Sequence, residues 1–146
     1  MGVTWLWIGM MMLNPAPRTI PFEVVAEGKT SGFTQKTFEV IRDETSWKAV
    51  FERLQERVMP KQPVPEQDFQ QFTLILVAAG QGSVMNRSIR VTRVFEQNHV
   101  LYVDVEICEP RAGAITLPAF SQPYQVIRIP RWEGTVEFLE QRCEHP

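Results

Sequence analysis

The sequence predicts an α+β fold, a mainly antiparallel β-sheet with one amphipathic helix over about residues 43–58 packed on it. Three observations predict it. The apolar run Leu74–Ala79 is bounded by Asp68 and prolines before it and by Gly80-Gln81-Gly82 after it, which suits a central strand better than a helix. Segments further along alternate apolar and polar residues with the period of two of a half-buried strand. A single stretch, Trp47 to Val58, instead repeats its apolar residues at helical spacing. That helix falls between strands rather than alternating with them, so a doubly wound sheet is not expected.

The strands come first in chain order. Thr19–Glu27 reads as a strand ended by Gly28, and Thr37–Ile41 as a second one after the loop Gly28–Gly32. Asp43 suits a helix N-cap, because its carboxylate can accept from the free N–H groups of the first turn. Trp47, Val50, Phe51, Leu54 and Val58 then stack on one face, and Pro60 stops further winding. Met59–Asp68 is a proline-rich connection, closed by Asp68 holding a turn through backbone N–H groups while Phe69 drops into the core.

The hairpin after the central strand allows its register to be argued. Leu101, Val103, Val105 and Ile107 point one way, Tyr102, Asp104 and Glu106 the other. A two-residue Gln97-Asn98 turn with regular pairing sets Val91 opposite Asp104, and Ile89 opposite Glu106. An odd loop or a bulge repairs this, pairing Val91 with Val105, Ile89 with Ile107 and Arg90 with Glu106. The acids then form an exposed cross-strand lattice with arginine rather than a paired-carboxylate catalytic site. Beyond the hairpin, Glu109–Pro123 is a Pro/Gly-rich loop, of a length that is more often functional than a short turn. Tyr124–Pro130 and Thr135–Leu139 read as the last strands, followed by a polar tail over 141–146.

Composition bounds the function. A length of 146 residues with 44% hydrophobic and 22% charged content describes one ordinary globular domain, expected over 19–140. The formal net charge of −2 gives no electrostatic case for nucleic acid. Arg87, Arg90 and Arg93, the arginine cluster of the strands, read as a solvated strand face. The apolar run Val3–Leu13, broken by Asn14-Pro15-Ala16-Pro17, has the length of a signal-peptide core rather than of a membrane span, so residues 1–17 are expected to be a leader and the protein to be exported. Against export, no Lys or Arg precedes the run and no small-x-small cleavage site follows it; a mis-assigned start, with a cytoplasmic protein, or an N-terminal strand are the alternatives.

Chemistry-bearing motifs are scarce. Gly80-Gln81-Gly82-Ser83 is a turn, not a phosphate loop, because a strand pattern follows it where a helix N-terminus is needed. Cys108 and Cys143 allow one internal disulfide, which exported conditions favour. His99 and His145 lack ligand spacing to either cysteine, so no metal or cofactor is expected.

The Trp47 helix after an initial strand, Pro65-x-x-Asp68-Phe69, the apolar strand into Gly80, the hairpin, and Glu109-Pro110 followed by Pro123-Tyr124-x-Val126-Ile127-x-Ile129-Pro130 together resemble the C-terminal domain of the protease complex subunit PrcB family. The resemblance spans Thr37 to Pro130 and implies a small exported bacterial domain, a non-catalytic accessory subunit of a secreted protease. One departure stands out: where such domains carry a Thr-Gly-Gly-Tyr-like turn, this chain has Val84-Met85-Asn86-Arg87.

The reading is therefore a non-catalytic, exported protein-interaction domain with a protein partner, a secreted protease being the implied one. Its candidate surface is the turn carrying Gly80, Gln81, Gly82, Ser83, Met85 and Asn86 together with the Glu109–Gln122 loop carrying Arg111 and Phe120. One alternative is an inhibitor that offers these loops to a protease cleft. Another is a hydrolase using Asp68, Asp104 or Glu106.

Overall fold

The strand Phe72–Ala78 is apolar at successive positions because it is covered on both faces, and the rest of the molecule is layered around it. A computed structural model describes residues 16–145; the apolar run Val3–Leu13, and with it most of the expected leader, lies outside the described residues. In chain order the elements are β1 (Arg18–Thr19), β2 (Glu23–Gly28), β3 (Thr37–Ile41), α1 (Glu44–Leu54), β4 (Phe72–Ala78), β5 (Gly82–Val84), β6 (Ser88–Gln97), β7 (Val100–Pro110), β8 (Pro118–Ser121), β9 (Tyr124–Pro130) and β10 (Thr135–His145). Strands β2-β9-β4-β3 form one sheet, β1-β6-β7-β10 a second, and β5 with β8 a small third. Among the described residues, the mostly β architecture with one short helix fits the expected α+β class, and the pairings are antiparallel except that of β7 with β10.

Three layers result. Ile75 and Val77 of β4, with Ile127 and Ile129 of β9, face Ile89, Val91, Val94, Leu101, Val103, Val105 and Ile107 of the second sheet. The alternate residues Leu74, Leu76, Ala78 and Val126 face Trp47, Val50, Phe51 and Leu54 of α1. Period-two alternation on β4 and β9 thus feeds two separate cores.

The hairpin has the register that the charge argument requires. Val91 pairs with Val105, Ile89 with Ile107 and Arg90 with Glu106, and an irregularity between Val91 and Arg93 absorbs the extra residue. The turn sits one residue later than expected, at Asn98 and His99, both with positive φ. Arg90 and Arg93 pair with Glu106 and Asp104 at 3.0 and 3.6 Å. Asp68 likewise holds its turn, accepting from the Gln70 N–H at 3.0 Å, with Phe69 packed at the helix-side core.

Three expectations need correction. The segment read as one strand from Thr19 to Glu27 crosses between sheets: Ile20 donates to the Val94 carbonyl at 2.8 Å in the second sheet, Pro21 has no N–H to continue a ladder, and β2 pairs with β9 in the first. The helix ends at Leu54, not near 58. The Gln55 carbonyl accepts from Val58 N–H at 3.0 Å and from Lys61 Nζ at 2.6 Å, which turns Val58 off the helical face. At its start Asp43 does cap it, accepting from Ser46 N–H at 2.7 Å, a bond that holds the Asp43 carboxyl below its ordinary pKa. Finally, the polar tail expected over 141–146 is strand as far as His145, because β10 pairs with β7 along its whole length. Charged side chains concealed it: on an edge strand only one side of the ladder and one face are covered.

Candidate functional site

The candidate surface is assembled from two segments far apart in sequence. Gly80 is buried with φ 83°, a left-handed conformation, and its turn delivers the chain into β5. The Glu109–Gln122 loop returns as β8, and the two strands pair antiparallel, Gly82 with Ser121 and Val84 with Pro118. Met85 N–H donates to the Leu117 carbonyl at 3.0 Å, and Ser121 Oγ donates to the Val84 carbonyl at 2.6 Å. The expected turn Gly80–Ser83 is correspondingly shorter, since Gly82 and Ser83 belong to β5.

This flap carries apolar side chains outward. Ile115 is 98% exposed, Leu117 64% and Phe120 66%, an adjacent set on one short segment. Three exposed apolar side chains within six residues make this segment the candidate contact surface. Arg111 is exposed at the outer turn, which Ala114 N–H closes onto the Arg111 carbonyl at 3.0 Å. Gln81 and Ser83 are exposed and Met85 half-buried. Asn86 contributes differently: its side-chain oxygen is buried and has no hydrogen-bond partner, so it faces inward rather than outward.

Beneath the flap lies a residue that the sequence reading misplaced. Arg87, expected on a solvated strand face with Arg90 and Arg93, is only 7% exposed. Its Nη1 donates to the Gly80 carbonyl at 3.1 Å and reaches the Ser121 carbonyl at 3.5 Å, so one guanidinium ties the start of β5 to the end of β8. Its Nε lies 3.6 Å from a Glu109 oxygen, and Lys29 Nζ donates to the Arg87 carbonyl at 2.8 Å. A Cβ on Gly82 would stand 2.5 Å from Nη1, so the absence of a side chain there is what admits the arginine. Gln122 completes the anchor: its N–H donates to the Lys29 carbonyl at 2.7 Å and its amide to Gln81 Oε1 at 2.9 Å. The signal available in sequence was small: a glycine that must accept a bulky neighbour looks like any turn glycine.

The three carboxylates of the hydrolase alternative are not brought together. Asp104 and Glu106 lie on β7 in the second sheet, each paired with an arginine. Asp68 lines an open groove of about 490 Å³ beside α1, whose lining includes Glu44, Lys48, Glu66 and Arg128 but no serine, cysteine or histidine. Cys108 and Cys143 occupy one register position of the β7–β10 pair, with Cα atoms 4.5 Å apart, and are joined as a disulfide. Among the described residues no helix is long and apolar enough to cross a membrane.

No curated protein and no solved structure matches the chain. A family model does, from Thr73 in β4 to Pro130 at the end of β9. The matched stretch contains the flap, its arginine anchor and the hairpin, and leaves α1 and β10 outside. Residues 73–130 are similar to the family described as PrcB C-terminal.

Proposed function

We propose that this protein is a non-catalytic, exported accessory domain that binds a protein partner through the β5–β8 flap, the partner being a subunit of a protease complex. The observation that carries the reading is the flap itself: three large apolar side chains, Ile115, Leu117 and Phe120, held out in solvent on a segment whose base is fixed by a buried arginine. A tethered, preorganised loop loses less conformational entropy on docking than a free one. The PrcB C-terminal match supports protease-complex association as the context. The stretch Val84–Arg87, where the family likeness expects a glycine-rich turn, is occupied by the end of β5 and by the arginine anchor.

The test is affinity capture from the native host with the tagged full chain, run beside Phe120→Asp. A protease recovered in stoichiometric amount, still active, and lost with the variant is the expected result. A protease recovered in inactive form would instead establish the inhibitor reading on the same surface. Equal recovery with both baits would remove the flap from the interface.

A further inference from the structure

The Cys108–Cys143 pair has a neighbour that the proposed function does not use. Glu106 sits two residues before Cys108 on the same face of β7, and its carboxylate oxygen lies 3.4 Å from Cys108 Sγ. The two sulfurs and the carboxylate all lie within 4.8 Å of one another. We propose that, once the disulfide is reduced, Cys108, Cys143 and Glu106 bind a borderline-soft divalent cation of the zinc type through two thiolates and one carboxylate. The inference is independent of the flap and of what the flap binds.

Geometry and donor chemistry both favour it. Two Zn–S bonds of about 2.3 Å at a tetrahedral angle need sulfurs roughly 3.7 Å apart. Cysteines whose Cα atoms stand 4.5 Å apart at one register position reach that separation by small χ1 rotations, with no movement of strands. Two thiolates with one carboxylate suit zinc rather than calcium or magnesium, which prefer all-oxygen shells. The fourth position is left to solvent. Glu106 is now paired with Arg90 at 3.0 Å, but that arginine side chain is 64% exposed and can swing away.

The chemistry balances with an external thiol pair as reductant. Two electrons and two protons pass from the pair to the Sγ–Sγ bond, giving two cysteine thiols and leaving the reductant as its own disulfide. Binding of the dication then releases both thiol protons to solvent. Two thiolates and a carboxylate against one dication leave a single negative charge at a site open to solvent.

Cobalt(II), a spectroscopic stand-in for zinc, tests this in the full chain, oxidised and after anaerobic reduction with the reductant removed. The expected result is no binding when oxidised, and one cobalt per reduced chain with thiolate-to-metal charge transfer and tetrahedral d–d bands. Cys143→Ser should abolish the charge-transfer band, and Glu106→Gln should weaken binding at least about tenfold. Circular dichroism of the reduced chain must retain the β signal, and unfolding on reduction would overturn the proposal. So would absence of the bands, one metal shared by two chains, or an affinity unaffected by Glu106→Gln.

Discussion

β4 and the β5–β8 flap are joined by one glycine turn, yet they place their apolar side chains on opposite sides of the solvent boundary. In β4, Leu74 through Ala78 are fully buried and divide between two cores. In the flap, Ile115, Leu117 and Phe120 are exposed, and what holds the segment is polar: Arg87 on two carbonyls, Ser121 on Val84, Gln122 on Lys29 and Gln81. The difference teaches that what stabilises the body and what positions the flap are separable here. Hydrophobic burial stabilises the layers, while hydrogen bonds position a segment whose apolar side chains stay in solvent.

The comparison is tested most severely on the layered side. Trp47 is 1% exposed, packs edge-on against Phe51 with ring centroids 5.4 Å apart, and donates its indole N–H to the Pro65 carbonyl at 2.8 Å. Trp47→Ala should cost about 3–5 kcal/mol in urea unfolding. A loss no larger than that of a surface substitution would mean the helix layer is not part of the core. Next comes the β7–β10 staple. The cysteines are 35 residues apart in sequence, for which the chain-entropy treatment gives a loss of about 3–4 kcal/mol in Cys143→Ser under oxidising conditions. A fall confined to β10, seen as hydrogen exchange there with the rest protected, would show that the edge strand opens on its own.

Arg87 joins the two regions, and its removal should sharpen the contrast. Arg87→Met keeps the apolar stem and deletes the donors to Gly80 and Ser121, so a loss of about 1.5–3 kcal/mol is expected. Limited proteolysis should then cut within 111–120 faster while the β4 layer stays intact. Unchanged cleavage would mean the β5–β8 ladder holds the flap without its anchor.

What the sequence revealed follows the same division. The helix-side face of Trp47, Val50, Phe51 and Leu54, the doubly buried β4 and the bulged register of Val91 on Val105 were legible, because each is written in a local period or a charge conflict. The parallel pairing of β10 was not, since Glu140, Gln141, Arg142 and Glu144 read as a solvated tail, and a parallel partner lies far away in sequence. The candidate loops were found by their composition, but not that they pair with one another. Arg87 was missed because a buried arginine and an exposed one have the same neighbours in sequence; only the Gly82 contact distinguishes them.

Acid should act on the layered body through two carboxylates. The backbone bond from Ser46 lowers the Asp43 pKa, and a hydrogen bond from Lys36 lowers that of Glu140 on β10. For a depressed folded-state pKa the contribution is complete above the ordinary carboxylate value, and is lost as pH falls through the lowered one. Through these two carboxylates stability should therefore decline on the acid side. Asp43→Asn, which can still cap the helix, should flatten that decline while barely changing stability at neutral pH. An equally steep acid limb in the variant would place the titrating group elsewhere.

The smallest expected change in stability belongs to the residue with the largest expected role in binding. Phe120 projects from β8 with its ring two-thirds exposed, so Phe120→Asp removes little buried contact and should shift unfolding by no more than about 0.5 kcal/mol. Against the captured partner the same change puts a carboxylate where an apolar contact is required, and an anchor of this kind is worth about 2 kcal/mol or more. Titration calorimetry of wild type and variant therefore separates the two regions directly: unchanged stability with lost affinity supports the division. A comparable loss in both would mean that Phe120 packs on the body and that the flap is a lid over the layers rather than a surface for a partner.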